Sequence, residues 1–412
     1  MYLDGDRLVV SPTDLVAHLH CQHLTELSLE VARGVRAKPP GDDPELEVLQ
    51  RRGLEHEQAY LKQLNDAGTV VVEIEDGPFA QEVRRTLGAL AERPDVIYQA
   101  AFFDDADEGT AWRGHADFLH RVEGESSPGD YSYDPSDTKL ARHVRPGAVI
   151  QLCSYAAQLA RLQGKDPEHV HVVLGGGKEP VTLRLADFAA YFRQAKRRFE
   201  AALGTGGRSY PLPNQHCPVC PWHEACEERW RRDDHLVTVA GLRLEQARRL
   251  EAAGIPTAGA LAELPDDRIP GMVPSTLGKL RRQARLQRMT TADGRPAYEL
   301  LETAADGVGL AALPVPSSGD LFFDIEGDPY VGPAGIEYLL GAGWDEERGA
   351  FGYLAFWAHD GAEEKRAFEA FIDFVTERRA ADPDLHVYHF AAYEQTAVGR
   401  LMGRHGTREK EV

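Results

Sequence analysis

Two rhythms of apolar residues run along the first two hundred positions of the chain. Ser11-Pro12-Thr13-Asp14 has the form of an N-cap followed by proline at the first helical position, and a helix is predicted through LVAHLHCQHLTELSLEVARG, residues 15–34. PGDDPELEVLQRRGLEHEQAYLKQLNDAG, 40–68, predicts a second capped helix stopped by Gly68. A β-branched run, TVVVEI, comes next, then a short helix around 79–91. VIYQAAFF, AWRGHADFLHRV and DYSYDPSDTKLA read as three successive strands separated by turn residues. A long amphipathic helix is predicted after Pro146, then a strand, HVHVVLG, its hairpin partner VTLRL, and the helix ADFAAYFRQAKRRFEAAL. The order from 44 to 174 is helix, strands, helix, strand, which predicts an α/β layer structure.

The pattern then changes. Residues 211–232, PLPNQHCPVCPWHEACEERWRR, form a Pro- and Cys-rich segment that closes the first unit. From about 234 to 290 the sequence turns to short helices punctuated by glycine, and DGVGLAALPVPSSG reads as a linker. LFFDIEG, EYLLGAGW and FGYLAFWA then predict three strands, followed by the helix EEKRAFEAFIDFVTERRA, the strand HVYHF and one more helix. The expected organisation is 1–232, 233–300 (helical), 301–318 (linker) and 319–412.

At 412 residues the chain is long enough for two or three cores. Mean hydropathy is −0.40 and no run of eighteen apolar residues occurs, so no membrane-spanning segment is expected. MYLDGDRLVV carries acids where a signal peptide needs a basic start, and a cytoplasmic location is expected. A formal net charge of −20 argues against coating nucleic acid through bulk charge. It leaves room for an enzyme with a locally basic groove, and RQAKRRFE and KLRRQARLQR are local basic runs.

Strand alternation gives Asp137-Thr138-Lys139 its chemistry. Residues two apart share a face, so Asp137 and Lys139 point into one site: a carboxylate for a cation beside an ammonium for a water or phosphate. Gly114-His115-Ala116-Asp117, one strand earlier, offers a second carboxylate, and His56 on the preceding helix a nitrogen. Gln151 and Tyr155, four apart on the next helix, share a face. The succession helix His, G-x-x-D, D-x-K, Q-x-x-x-Y resembles the RecB-type nucleases of the PD-(D/E)XK superfamily. The resemblance implies a restriction-endonuclease-like αβββαβ core in which His56, Asp117, Asp137 and the Thr138 carbonyl hold Mg²⁺ or Mn²⁺. It further implies that Lys139 orients or activates the attacking water, with Gln151 and Tyr155 bracing the site or touching DNA. The implied activity is a deoxyribonuclease, an exonuclease on single-stranded DNA in repair, recombination or defence. Phosphodiester hydrolysis needs a hard cation to neutralise phosphoryl oxygens and lower the pKa of water, and crowded carboxylates need a cation or Lys139 between them.

Cys217-x2-Cys220-x5-Cys226 supplies three soft ligands on a short segment, with Cys21 a fourth nearly two hundred residues earlier. This one-plus-three arrangement resembles the iron–sulfur subgroup of RecB-type nucleases, which implies a [4Fe–4S] cluster stapling the N-terminal helix to the C-terminal segment. Zinc is the alternative, through the same four thiols or through Cys₃His with His216 or His223. Cys153 is left over and reads as a small buried apolar residue.

Residues 236–290 resemble helix-hairpin-helix material. Ala253-Gly254-Ile255-Pro256 is the turn, hairpin amides are candidates for a DNA phosphate, and Arg281, Arg282, Arg285 and Arg288 are further contacts or solvated side chains. In LFFDIEG, Asp324 and Glu326 share a strand face, which resembles the first motif of ribonuclease-H-like DEDD-type exonucleases. Only Glu394 stands where a second-motif carboxylate is expected, and the chain stops at Val412. That region is therefore expected to be a partial, truncated fold with an incomplete second site. Relatives with this layout often carry a superfamily I helicase after the ribonuclease-H-like part, implying one in trans or in a longer version of the chain. No Walker A sequence occurs, since Gly175-Gly176-Gly177-Lys178 lacks its spacing. Two rival readings remain: a non-catalytic nucleic-acid-binding module with structural zinc or iron–sulfur, and an RNA-directed exonuclease using Asp324 and Glu326. Tyr131, Tyr133 and Trp222 are candidate base-stacking residues, or core.

Overall fold

A computed structural model describes the chain except residues 41–43, 106–109, 127–128, 177–178, 206–208, 266–267, 290–293, 302–306, 308, 330, 333 and 347–349. Parts of the predicted second helix and linker, and Gly177-Lys178, lie outside the described residues. Two compact units emerge, 1–299 and 300–412.

The first unit is built on a mixed sheet. Its opening hairpin, β1 (Tyr2–Asp4) and β2 (Arg7–Val10), is followed by α1 (Pro12–His20), α2 (Gln22–Ala32), α3 (Pro44–Asp66), β3 (Val71–Glu73) and α4 (Phe79–Glu92). Three long strands come next, β4 (Val96–Asp104), β5 (Thr110–Ser126) and β6 (Gly129–Lys139), then α5 (Pro146–Gln163), β7 (His169–Leu174), β8 (Val181–Arg184) and α6 (Ala186–Thr205). β4, β5 and β6 form an antiparallel meander, and β7 returns parallel to β6 after the α5 crossover. Helix, three antiparallel strands, helix and parallel strand thus occur in the expected order. The sheet runs β1-β2-β5-β6-β7-β8, with β4 on the other edge of β5 and β3 beyond it.

Two local features differ from expectation. The helix predicted over 15–34 is two helices broken at Cys21, whose backbone is extended at φ −155°. His18 Nδ1 meets Thr25 Oγ1 at 2.9 Å across the joint, so the thiol sits at a bend instead of on a helix face. The hairpin β1–β2 was not anticipated; β2 pairs with β5 only through Thr110–Trp112. β6 pairs with the same edge of β5 from Phe118 onward. Between those stretches residues 113–117 have no strand partner on that edge among the described residues. This gap in the sheet is where the chemistry gathers.

Apolar residues of α5, β4 and β5 (Leu152, Tyr155, Phe102, Leu119) form one core, while Tyr60 and Leu61 of α3 pack on Tyr98 and Phe118. Cys153 is buried, as expected, among Val149, Ile150 and Phe199; burial pushes its thiol up to about 12. Tyr131, Tyr133 and Trp222 are all buried, which answers the stacking alternative in favour of core.

After α7 (His223–Arg232), the helices α8 (Leu244–Ala252), α9 (Ala258–Glu263) and α10 (Pro274–Arg288) close a small core of their own around Leu250, Leu261 and Leu280. Gly254, at φ 83°, makes the α8–α9 turn. The hairpin amides are not open to a phosphate. Asp234 takes them instead: its carbonyl accepts from Ala258 N–H and its Oδ2 from Gly259 N–H, both at 2.8 Å. The four arginines are also engaged internally, Arg281 on the Leu264 carbonyl, Arg285 on Ala262, Arg288 on Asp234 and Arg282 on Glu299.

The second unit holds β9 (Leu321–Asp328), β10 (Ile336–Asp345), β11 (Phe351–Trp357), α11 (Gly361–Ala381), β12 (Val387–Tyr388) and α12 (Tyr393–His405). Its sheet order is β11-β10-β9-β12, with β9 and β12 parallel. Phe323, Ile325 and Leu340 pack against Phe368 and Phe371 of α11 and Leu401 of α12, so both helices cover one face.

Candidate functional site

Asp117 stands on β5 at the gap and Asp137 on β6 just past the last β5–β6 pair, Phe118 with Ser136. Where the ladder ends, the Asp117 carboxylate replaces it: Oδ2 accepts the Thr138 amide at 2.8 Å and the Thr138 hydroxyl at 2.9 Å. This clamps the two strands and fixes one oxygen of Asp117. Asp137 is 1% exposed, and neither of its oxygens has a well-formed hydrogen bond among the described residues. Its countercharge is the Lys139 ammonium, which ion-pairs with Oδ2 from the partly exposed end of the same strand face. Burial, and then the neighbouring charge of Asp117, push the Asp137 carboxyl well above the usual carboxylate range, and Lys139 only partly opposes them. A carboxylate held in this way asks for a cation.

Tyr155 and Gln151 project from α5 toward this pair. The Gln151 amide donates to the Tyr155 hydroxyl at 2.7 Å. Burial, followed by the charge of Asp137, raises the Tyr155 phenol, so it stays a neutral donor. Gly114 explains itself here, because a Cβ on it would lie 2.8 Å from Tyr155 Cε1. Gly114→Ala is expected to cost about 1–3 kcal/mol through overpacking and to displace the phenol. Thermal denaturation checks the first effect, and single-turnover cleavage by the variant checks the second.

His56 is set differently. Its Nε2 lies 3.1 Å from the Val173 carbonyl on β7, and no contact with either aspartate exists among the described residues. Its neighbour Glu57 takes the place nearer the pair. Glu57 Oε1 accepts the Tyr98 hydroxyl at 2.7 Å and the Gln99 amide. Burial and then the charge of Asp117 raise the Glu57 carboxyl, against hydrogen bonds from Tyr98 and Gln99 and the charge of Lys139. Gln99 falls at the register position opposite Asp117, between the pairs Tyr98–Phe118 and Ala100–Ala116, and has φ 58°. A non-glycine residue in the left-handed region inside a strand stores strain beside the carboxylates. Sequence reasoning missed Glu57 and Gln99. The adjacent acid in Glu55-His56-Glu57 was the available signal for the first, and nothing in the sequence marks the second.

The four cysteines, far apart in sequence, line one pocket with Trp222 and Trp230. Burial, then neighbouring thiols, push Cys226 up to about 11; the same causes raise Cys220. Cys217 Sγ accepts the Asn214 amide at 3.3 Å. His223 has both ring nitrogens occupied, by the Cys217 carbonyl at 2.8 Å and Glu227 at 3.0 Å, which leaves none for a metal. His216 stacks on His20 with centroids 4.8 Å apart. Among the described residues no three His, Cys, Asp or Glu side chains form a ready-made metal site, here or at the aspartates.

In the second unit Asp324 and Glu326 are exposed on the sheet face away from α11 and α12. They line a cleft of about 580 Å³ with Phe322, Tyr353, His389 and Phe390. Glu394 is 4% exposed and faces His389, whose Nδ1 is 3.3 Å from its Oε2; it is not among the cleft's walls.

Residues 321–412 match the RNase_H superfamily model. No curated protein matches the chain. The match supports a nuclease-like hydrolase of nucleic acid, and the described residues contain no helix long and apolar enough to cross a membrane.

Proposed function

We propose that the first unit is a Mg²⁺- or Mn²⁺-dependent deoxyribonuclease of the RecB-type PD-(D/E)XK kind, acting on single-stranded DNA in the cytoplasm. The observation that carries this reading is Asp137, buried and without a well-formed hydrogen bond, beside Asp117 and Lys139 at the gap between β5 and β6. Mg²⁺ is commonly held by only one or two carboxylates, with waters and substrate phosphate as its other ligands, so Asp117, Asp137 and the Thr138 carbonyl would hold it. Such a cation would neutralise the phosphoryl oxygens and acidify a bound water. Asp117 would offer the cation one oxygen while its other holds Thr138, and Lys139, released from Asp137, would hold and orient the attacking water. Tyr155, kept protonated, donates toward the phosphate, and Gln151 fixes its hydroxyl. His56 belongs to this reading only through rotation away from Val173.

The same reading assigns Cys21, Cys217, Cys220 and Cys226 to a [4Fe–4S] cluster, with zinc on the same thiols as the alternative. Either would neutralise four crowded thiolates and tie the α1–α2 bend to the segment after α6. Cys21→Ser is expected to weaken metal retention at least about ten-fold. Iron, zinc and sulfide analysis with visible absorption of anaerobically purified protein reads this directly, and also separates cluster from zinc.

A second reading rests on the cleft around Asp324 and Glu326 together with the RNase_H superfamily match, and places hydrolysis in the second unit. Digestion of end-labelled single-stranded DNA and RNA with each cation, with and without chelator, tests both. Chelator-sensitive cutting of DNA supports the first reading; cutting of RNA alone would favour the second. No cutting of either would return the chain to a binding module.

A further inference from the structure

A cavity of about 390 Å³ opens into the same sheet gap, beside the aspartates but separate from them. Tyr155 and Gly114 form one wall, Tyr2 and the start of α1 the other, and Arg113 and His115 complete it. Gly114 precedes Asp117 by three strand residues, about 10 Å, so the cavity sits one nucleotide's length from the carboxylates.

Its electrostatics run against the acidity of the chain. The carboxylate that lines it, Asp14, is consumed: it accepts from the Met1 ammonium at 2.9 Å, the Ser11 amide at 2.8 Å and the Ser11 hydroxyl at 2.7 Å. Arg113 is not consumed. Its guanidinium lies over the Phe79 ring at 4.2 Å and near the Tyr2 ring at 5.8 Å, and no carboxylate ion-pairs with it among the described residues. His115 is shared with Glu82 at 2.9 Å. The guanidinium is half-buried against two rings, and the Glu82 carboxylate feels its charge without pairing with it, so its donors can turn to an incoming anion, and a planar fork suits phosphate. Tyr2, 40% exposed at the rim, presents an aromatic face for a base. The unpaired edge of residues 113–117 adds backbone donors along the same path.

We propose that this cavity receives the nucleotide next to the scissile phosphate, with Arg113 on its phosphate and Tyr2 against its base. The volume lies at the small end of ligand pockets and admits one nucleotide, not a base pair. Selection for a single strand therefore originates here. The inference rests on the nuclease reading for its name, but the site is a binding site and is tested as one.

The test is anisotropy of a fluorescein-labelled oligodeoxynucleotide titrated with full-length protein in Ca²⁺, over a range of salt. Wild type, Arg113→Gln and Thr13→Glu are compared, with blunt duplex as a second probe. Thr13 is an exposed position in the first turn of α1, where an added acid favours the helix while placing a negative charge at the cavity mouth. Both variants are expected to weaken single-strand binding at least ten-fold with unchanged melting temperature. Arg113→Gln should also lower the salt slope by about 0.7, the loss of one phosphate contact on a single strand. Wild type should prefer the single strand to the duplex. Unchanged binding in Thr13→Glu, or equal affinity for both probes, would overturn the proposal. Because cleavage is not read, an inactive but binding wild type would count against the nuclease reading alone.

Discussion

Replacing Lys139 with alanine is expected to lower cation-dependent cleavage of single-stranded DNA by about 10²–10⁴-fold, the range for removing a group that positions or protonates in the transition state. The geometry sets the direction. Lys139 is the ammonium that reaches Asp137, it is partly exposed, and it stands on the strand face that both carboxylates serve. Its loss should act on turnover more than on substrate binding, because a single exposed ammonium adds little to affinity on a chain of this charge. Single-turnover cleavage at saturating enzyme separates the two. A loss confined to binding would move Lys139 from the chemistry to the substrate path.

The second large effect has opposite signs for activity and stability. Asp137→Asn should abolish cleavage while making the cation-free protein more stable at neutral pH, by about 1–3 kcal/mol. The carboxyl of Asp137 is raised in the folded state above its unfolded value. Between the two values the folded chain holds a proton that the unfolded chain has lost. Stability from this group therefore falls as pH rises from about 4 through the folded value, and the ionised carboxylate destabilises above it. An amide cannot ionise, so the variant loses that slope. Mg²⁺ should stabilise wild type by mass action and leave Asp137→Asn unmoved. Melting curves in chelator at pH 5 and 7.5, repeated with Mg²⁺, read all three consequences. A variant less stable than wild type at pH 7.5 would mean that the Lys139 pair outweighs burial.

Much of this site is legible without coordinates because strands and helices have fixed periods. Asp137 and Lys139 share a face by alternation, Gln151 and Tyr155 by helical spacing, and the order of elements from α3 to β7 follows from turn residues and β-branched runs. The cysteine assignment was also legible as a grouping, since four thiols from two distant segments line one pocket. What escaped depends on long-range registration. The three- and four-residue strands of the β1–β2 hairpin are too short for periodicity to register, yet β2 creates the gap by pairing only three residues of β5. The bend at Cys21 breaks a segment whose local pattern reads as one helix. Asp234 fills the hairpin amides from twenty-five residues before Gly259, a contact that no motif announces. His56 reads as a ligand by position on its helix, but rotation of α3 over the sheet gives Glu57 the place beside Asp117.

The central claim is that hydrolysis belongs to Asp117, Asp137 and Lys139. Parallel digestion of end-labelled single-stranded DNA by wild type, Asp137→Asn and Asp324→Ala in Mn²⁺ tests it most directly. The account expects wild type and Asp324→Ala to cut alike, chelator to stop both, and Asp137→Asn to leave the label intact. Cutting lost in Asp324→Ala but kept in Asp137→Asn would contradict it and move the chemistry to the second unit.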